Sequence, residues 1–314
     1  MDASNHTTVM EFILLSISVH LEEQPFIAVL LSTMYLVALL GNSLMITLIL
    51  TDQHLHTPMY FFLSILSVVD MSYSSVIVPK MLSILLSTKK IISFSECITQ
   101  LYFFVAFGLT EMFLLAVMAY DRYVAICNPM HYTMVMSGKA CSFMVAGSWG
   151  IAALNSLLHA VLISGLSFCG SNIIHYFFCD IPPLLKLSCS DTSIYEIALF
   201  IEASVIGLGP FLCVLISYVH IIATILKVQS SAGRHKAFST CSSHLTVVSL
   251  FYGTIVFNYF CPSSAYSLER DIVITVMYTV VTPMLNPLIY SLRNKEVKGA
   301  LSRIITKRTC LQNI

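Results

Sequence analysis

Seven long apolar stretches constrain the fold of this 314-residue chain more than any other feature. Each holds about 20 or more mostly apolar residues, which is the helix length needed to cross the hydrocarbon core of a bilayer. The predicted spans are Phe26–Leu50, Met59–Val78, Ile98–Ile126, Ala140–Phe168, Ile197–Leu226, Ala237–Cys261 and Ile272–Leu292. The sequence therefore predicts an all-α membrane protein, a seven-transmembrane helix bundle.

The composition agrees with a chain surrounded by lipid. Hydrophobic residues make up 57% of the chain and charged residues only 10%, with a mean hydropathy of +0.85. A soluble domain carries about 25% charged residues, because water must solvate its surface. The formal net charge is zero, so the chain has no global basic field to attract nucleic acid. Membrane lipid is thus an expected partner, and nucleic acid is not.

The basic residues favour one orientation. Loops on the cytoplasmic side carry an excess of Lys and Arg. With the N-terminus outside, the cytoplasmic side holds eleven of the 16 basic residues, namely Arg122, Lys139, Lys227, Arg234, Lys236, Arg293, Lys295, Lys298, Arg303, Lys307 and Arg308. We therefore expect an extracellular tail over residues 1–24 and a cytoplasmic tail over residues 293–314.

Both tails carry local signals. Residues 1–24 contain no Lys or Arg, so the basic start of a signal peptide is not recognisable there. Asn5 begins an Asn-His-Thr sequon, which predicts glycosylation of an outward tail. Residues 293–307 mix basic and apolar side chains and predict a short amphipathic helix on the inner leaflet. Without repeats or low-complexity segments, residues 1–314 are expected to form a single seven-transmembrane domain.

Two carboxylic acids lie inside predicted spans, Asp70 in the second and Glu111 in the third. Ionisable groups are costly in a bilayer and usually face the bundle interior. Two carboxylates that share a buried site repel each other and favour a cation or a proton. Asn42 and Asn286 lie at a similar depth, so all four side chains are expected to form one polar cluster. The alternative is a set of interhelical hydrogen bonds that only fixes packing.

Three prolines fall inside the fifth and seventh spans: Pro210, Pro283 and Pro287. Each removes a backbone hydrogen bond and is expected to kink its helix. Such kinks suit a bundle that must move, although proline is also simply tolerated in membrane helices.

Several motifs resemble those of rhodopsin-like G-protein-coupled receptors, namely Gly41-Asn42, Asp121-Arg122-Tyr123, and Asn286-Pro287 followed by Tyr290. Longer runs resemble the odorant (olfactory) receptor family. They are LHTPMYFFL (55–63), MAYDRYVAIC (118–127), Ser217-Tyr218, KAFSTCSSHL (236–245) and PMLNPLIYSLRNKEV (283–297). The resemblance covers nearly the whole chain. It implies an odorant receptor of the plasma membrane that activates a stimulatory, olfactory-type G protein and raises cAMP.

The resemblance assigns switch roles at the cytoplasmic side. Arg122, with Asp121 and Tyr123, is expected to hold the inner ends of the third and sixth spans in the resting state. A guanidinium at the inner edge of the membrane needs an acceptor, and Asp121 is its neighbour in sequence. Tyr218 or Tyr290 is expected to take over that contact after a helix shift. Asn286 and Pro287 complete the seventh-span motif.

The resemblance also places an ion site and excludes one cofactor. Asp70 and Glu111 match the family's mid-membrane ion site, where a sodium ion would favour the inactive state by neutralising the pair. Retinal needs a Schiff-base lysine, and the seventh span contains no Lys. No cofactor other than the possible sodium ion is therefore expected.

Two disulfides are implied by the resemblance, Cys97 with Cys179 and Cys169 with Cys189. All four cysteines fall in segments that we place outside the cell, where disulfides persist. Spacing alone does not prove either pairing.

The resemblance places the ligand site among the third to seventh spans, in the outer half of the bundle. At helical spacing above Arg122, the third span offers an apolar face with room at one glycine. An apolar wall with a few polar groups suits a small, uncharged volatile molecule, whereas a protonated amine held by Glu202 is the competing ligand class. The expected ligand-binding residues are Phe104, Val105, Gly108, Leu109, Met112, His159, Glu202, Ile206, Tyr252, Asn258 and Tyr259, with Asn155 as a further candidate.

Two other functions, transport and membrane-bound catalysis, are alternatives to that of a receptor. A secondary transporter or channel predicts inverted repeats or paired broken helices, and the two halves of the sequence show neither. A membrane enzyme predicts a nucleophile with its base or a metal-ligand spacing such as HExxH, and neither occurs. The sequence therefore predicts a receptor that is not an enzyme and has no catalytic residues.

Overall fold

The protein is a seven-helix membrane bundle with a further helix after the seventh span. The computed structural model describes residues 10–14, 24–87, 90–169, 171–260 and 276–312. The helices, in chain order, are α1 (Gln24–Thr51), α2 (Pro58–Leu86), α3 (Phe94–Cys127), α4 (Tyr132–Val135), α5 (Gly138–Ser164), α6 (Ile181–Leu187), α7 (Ser193–Glu202), α8 (Leu208–Leu226), α9 (Ser231–Phe260), α10 (Thr282–Arg293) and α11 (Lys295–Gln312).

Helices α1, α2, α3 and α5 are the first four spans, α7 and α8 together form the fifth, α9 is the sixth and α10 ends the seventh. Within the described residues, five of these spans, the first to the fifth, are long and apolar enough to cross a membrane. The fifth turns large apolar side chains outward, and Phe200 is 74% exposed. Monomeric soluble proteins rarely expose large apolar patches, so this surface agrees with a multi-pass membrane protein.

Local capping explains where two helices depart from the predicted ends. Helix α3 begins at Phe94, earlier than predicted, because Ser93 and Glu96 form a reciprocal capping box. Helix α5 ends at Ser164, earlier than predicted, and the N–H of Gly165 bonds to carbonyls of its last turn. Residues 165–168 are therefore part of the connection to the next helix.

Two of the predicted proline kinks take the form of widened helical turns. One π-helical turn, Ala203–Gly207, precedes Pro210, and another, Met277–Val281, precedes Pro283. A proline ring clashes with the carbonyl four residues before it, and that residue lies inside the π turn in both cases. The fifth and seventh spans are thus each interrupted at the turn where the backbone had to give way.

The structure also contains a small sheet that the sequence did not predict. Its strands are β1 (Glu11–Leu14), β2 (Ile91–Ser93) and β3 (Ile173–Ile174), in the order β2-β1-β3. Strand β1 is antiparallel to β2 and parallel to β3. We call the end of the bundle that carries this sheet the sheet end, and the opposite end the α11 end.

Helix α11 is attached to the connection between α1 and α2. Nε of Arg303 donates to Oδ2 of Asp52 at 2.8 Å, and a second guanidinium nitrogen lies 2.7 Å from the same oxygen. Burial alone would raise the pKa of Asp52, but the backbone N–H of His54 and the Arg303 side chain together lower it to about 2. At its start, α11 is held by the Tyr60 hydroxyl, which donates to Glu296 at 2.7 Å.

Candidate functional site

The last two turns of the third span, α3, lie at the α11 end of the bundle and contain Asp121, Arg122 and Tyr123. Asp121 is buried and accepts a hydrogen bond from the Tyr132 hydroxyl at 2.8 Å. Arg122 is half-buried, takes part in no ion pair among the described residues, and its buried Nε atom has no hydrogen-bond partner. The ring of Tyr123 packs against that of His220. Asp121, the acceptor expected for Arg122, is therefore bonded to Tyr132 instead.

His244 joins three spans beside Arg122. Its Nδ1 atom lies 2.7 Å from the Tyr218 hydroxyl on α8, and its Nε2 atom lies 3.2 Å from the backbone oxygen of Leu115 on α3. His244 is fully buried on α9. Arg122 lies within electrostatic reach of His244, Tyr218 and Tyr290. This polar network connects the third, fifth and sixth spans where a switch is expected.

The seventh-span motif packs closely against α1. A Cβ atom at position 41 would lie 3.0 Å from Cγ of Pro287, so Gly41 permits an approach that a larger residue would block. Tyr290 is buried, and its hydroxyl has no hydrogen-bond partner. This unpartnered hydroxyl is available to a new partner if the helices shift.

Asp70 and Glu111 meet in the middle of the bundle, where both are fully buried. Asn286 donates from Nδ2 to Oδ2 of Asp70 at 2.9 Å. Asn42 donates to the backbone oxygen of Pro283 at 3.0 Å. Five buried oxygen atoms of these four side chains have no well-formed hydrogen bond to any described residue: Oδ1 of Asp70, both carboxylate oxygens of Glu111, and the amide oxygens of the two asparagines. Such a group of unpartnered oxygens suits a hard cation.

Four of the predicted ligand-binding residues share one apolar cluster. Leu109 and Met112 come from α3, Ile206 from the π turn of the fifth span, and Tyr252 from α9. The ring of Tyr252 packs against Phe211 with a centroid distance of 5.2 Å, and its buried hydroxyl has no hydrogen-bond partner among the described residues. The structure thus places these four residues in one large apolar cluster, in which the Tyr252 hydroxyl is unpartnered within the described part of the chain.

Two other predicted residues of α3 face a different side of the bundle. The ring of Phe104 stacks on Tyr73 of α2 and contacts Phe178 and Tyr278. A Cβ atom at Gly108 would lie 3.6 Å from the Tyr73 hydroxyl. A larger residue at position 108 would therefore meet Tyr73 first. Its expected effect on ligand size stays a prediction.

His159 and Glu202 bond to each other rather than standing free. Nε2 of fully buried His159 contacts Oε2 of Glu202, and Asn155 donates to Oε1 of Glu202 at 2.7 Å. The other ring nitrogen of His159 lies 2.8 Å from the Tyr195 hydroxyl. These contacts clamp α5 to α7. Tyr195 also belongs to the apolar cluster at the sheet end, which Val105 contacts.

Both implied disulfides are present at the sheet end. Cys97 is bonded to Cys179 with a Cα–Cα distance of 5.4 Å, and Cys169 to Cys189 with 5.9 Å. The first pair is fully buried, and the second is exposed. Gln100 supports the first pair, because its side-chain oxygen accepts from the N–H of Cys179 at 3.0 Å.

Three of the predicted site residues have side chains outside the part of the chain that the structure describes. Asn5 lies in the part of the chain that is not described, and the side chains of Asn258 and Tyr259 on α9 are likewise outside the described ones. Glycosylation of Asn5 and hydrogen bonds from Asn258 or Tyr259 stay predictions.

Tyr132 and Tyr195 were not predicted from the sequence, and His244 was included only within the motif KAFSTCSSHL (236–245). A histidine in an otherwise apolar span was a usable signal, because such a group needs a buried partner. Tyr195 precedes the predicted start of its span, so no span pattern included it. Nothing in the spacing of Tyr132 shows that it would bond to Asp121.

Comparisons with known proteins agree on one family. The family model described as "Olfactory receptor" matches residues 31–308. Olfactory receptor 1F1 of Homo sapiens is 52% identical over 305 residues, covering 97% of this chain and 98% of that protein. Olfactory receptor 1f45 of Rattus norvegicus is 52% identical over 308 residues, with 98% of each chain covered. Squid rhodopsin has a similar fold, with a TM-score of 0.69, 18% identity, and coverage of 91% of this chain and 82% of that chain.

Proposed function

The chain belongs to the olfactory receptor family, and on that premise we propose that it detects a small, uncharged odorant and activates a stimulatory G protein to raise cAMP. Members of this family with this fold are signalling receptors, so the chain is a receptor and not an enzyme. The observation that carries the ligand class is the contrast between Glu202, whose two oxygens both have partners, and Tyr252, whose hydroxyl has none.

This contrast argues for a neutral ligand. A protonated amine would have to share the Glu202 carboxylate with Asn155 and His159, each of which already bonds to one of its oxygens. The cluster that includes Met112 and Ile206 is apolar, and the Tyr252 hydroxyl within it can make one hydrogen bond. A ligand with an apolar body and one oxygen function satisfies that hydroxyl while burying its hydrocarbon part. This is the proposed agonist class.

A cAMP reporter assay with matched compounds tests this proposal. Alcohols or ketones, their parent hydrocarbons and the corresponding amines should be compared on the same carbon skeleton. Tyr252→Phe should weaken the oxygenated agonists about 2- to 13-fold, which corresponds to the loss of one hydrogen bond of about 0.5–1.5 kcal/mol. The hydrocarbons should be unaffected by this change.

Tyr35→Phe is the matched control, because the hydroxyl of Tyr35 bonds to Ser75 on the exposed side of α1 and α2. It should leave all potencies unchanged. Amines that act more strongly than alcohols, with Glu202→Gln removing their response and Tyr252→Phe without effect, would overturn the neutral-ligand proposal. Gly108→Leu and Tyr259→Phe remain secondary probes of agonist size and oxygen recognition.

Coupling to a G protein is supported by the polar network at the α11 end. Arg122 presents a partly buried guanidinium there with an unpartnered Nε, and the Tyr218–His244 contact joins the fifth and sixth spans beside it. Movement of these spans would change which acceptors Arg122 meets. A G protein that inserts between the fifth and sixth spans would therefore bind the resting and the shifted arrangements of the bundle differently.

The proposed orientation in the plasma membrane places the sheet end outside the cell and the α11 end inside. The excess of Lys and Arg at the α11 end supports this assignment, because anionic lipids of the inner leaflet attract basic residues. Disulfides persist in an oxidising compartment, and both of them lie at the sheet end. The N-terminal tail with its Asn5 sequon then lies outside as well.

A sodium ion is proposed for the Asp70–Glu111 site, where the unpartnered oxygens fit a hard cation. A cation there neutralises the carboxylate pair and favours the resting arrangement. Replacing choline chloride by sodium chloride at constant ionic strength should therefore lower agonist potency. Asp70→Asn with Glu111→Gln should remove the sodium effect. An equal response to sodium in that double variant would show that the ion acts elsewhere.

A further inference from the structure

Strand β1 connects two segments that otherwise do not pair with each other. The strand order β2-β1-β3 places it between the segment before α3 and the segment after α5. The N–H of Leu14 donates to the oxygen of Lys90 at 2.8 Å, and the N–H of Ile13 donates to the oxygen of Asn172 at 2.9 Å. The side chain of Asn172 also donates to the oxygen of Glu11 at 3.0 Å. Without β1, these two outer loops would lose their common partner.

The strand alternates between buried and accessible side chains. Phe12 and Leu14 are fully buried, whereas Glu11 is exposed and Ile13 is partly exposed. Met10, just before the strand, is 73% exposed. Alternate residues of a strand point to opposite faces, so one face of β1 is part of an apolar core. Phe12 packs against the ring of Phe94, the first residue of α3, and against that of Phe168 in the connection after α5.

The buried face of β1 reaches the neighbourhood of the proposed odorant site. Phe12 and Leu14 share their cluster with Leu101 and Tyr195, and Val105 contacts it. Tyr195 in turn bonds to His159, which holds the fifth span to α5. A change in the position of β1 would therefore be transmitted to the outer ends of the third and fifth spans.

We propose that β1 is a structural part of the odorant site and that Phe12 is its positioning residue. It holds the first and second outer loops in one arrangement over the bundle, without touching the odorant. The proposal rests on the proposed function, since it concerns the site where the odorant binds. A short sheet in which β2 and β3 lack their central partner would not be stable on its own.

Cysteine cross-linking tests the strand register independently of any odorant. Ile13 pairs with Ile91 across the antiparallel ladder. Ile13→Cys with Ile91→Cys should therefore form a disulfide. In a chain with an N-terminal tag and a protease site inserted between Leu14 and Gln24, the tag should stay attached after cleavage until a reductant is added. Ile13→Cys with Ile92→Cys is the matched control, because it keeps Phe12 and a shift of one residue turns the two thiols to opposite faces. Equal cross-linking of both pairs, or of neither, would overturn the proposed register.

Agonist potency tests the positioning role. At matched surface expression, Phe12→Ala should weaken all agonists by a similar factor, roughly 2- to 30-fold, whereas Met10→Ala should have no effect. Oxidising the Ile13→Cys and Ile91→Cys pair in the Phe12→Ala background should restore potency, because the cross-link replaces the lost packing. If Phe12→Ala does not reach the surface, Phe12→Leu decides, and a smaller uniform loss is expected.

Two results would overturn the positioning role: unchanged potency in the Phe12 variant that reaches the surface, or a loss confined to agonists of one functional group. The second would mean that Phe12 touches the ligand. If the unmodified receptor responds to no odorant, the proposed function fails, but cross-linking still reports whether β1 occupies its place.

Discussion

Replacing Arg122 with alanine should lower agonist-driven cAMP by about 10- to 100-fold while the receptor still reaches the cell surface. The guanidinium lies half-buried at the α11 end, and its Nε atom has no partner there. An unsatisfied buried donor costs about 1–3 kcal/mol, which a G-protein acceptor would recover on binding. Charge-assisted hydrogen bonds are stronger than neutral ones, so a loss of about 10- to 100-fold in coupling is expected. The measurement is cAMP against agonist concentration, normalised to surface receptor.

Arg122→Lys separates charge from geometry. Lysine keeps the charge but lacks the planar fork of donors, so it should restore only part of the signal. Lys298→Ala, an exposed basic residue on α11, is the control for a general loss of positive charge at this end and should signal normally. Undiminished signalling from Arg122→Ala would remove Arg122 from the mechanism.

Loss of the buried disulfide should prevent the receptor from reaching the surface. Cys97→Ser or Cys179→Ser opens a bond that closes a sequence separation of 82 residues. Removing a native disulfide from a small secreted domain typically costs about 2–5 kcal/mol, and here each change also buries a lone polar group. Surface labelling should detect little or no receptor for either single variant. The double variant should be no worse, because both changes break the same bond.

The exposed bond and a free cysteine serve as comparisons. Cys169→Ser should have a smaller effect, because the bond between Cys169 and Cys189 is exposed and closes a separation of only 20 residues. Cys213→Ser, a free cysteine in the fifth span, should leave expression near normal. Additive losses from Cys97→Ser and Cys179→Ser would contradict their pairing.

Much of the fold was predictable because lipid imposes a simple rule on sequence. Apolar stretches of sufficient length must become helices, so the first span, predicted as Phe26–Leu50, appears as Gln24–Thr51. The π turn before Pro210 was only partly predictable. Proline marks where the helix must yield, but the form of the distortion depends on packing. Strand β1 was not predictable, because a four-residue strand has no signal apart from the partners it finds.

The candidate site was likewise predictable only in part. The Cys97–Cys179 bond followed from the family resemblance and is present, while the Asp70–Glu111 cluster followed from the cost of burying charge. The sequence did not predict that the candidate residues of α3 would face two different sides of the bundle. Helical spacing places Phe104 and Leu109 on one broad face, but only the neighbouring helices decide that Phe104 contacts Tyr73.

The ion pair between Asp52 and Arg303 also bears on the order in which the chain is made. Asp52 leaves the ribosome 251 residues before Arg303, so the connection between α1 and α2 is synthesised long before α11. A chain that stops before Arg303 lacks this partner and keeps only the bonds between His54 and Asp52. In the finished protein Asp52 is only 8% exposed. The attachment of α11 to this connection can therefore form only after translation has passed residue 303.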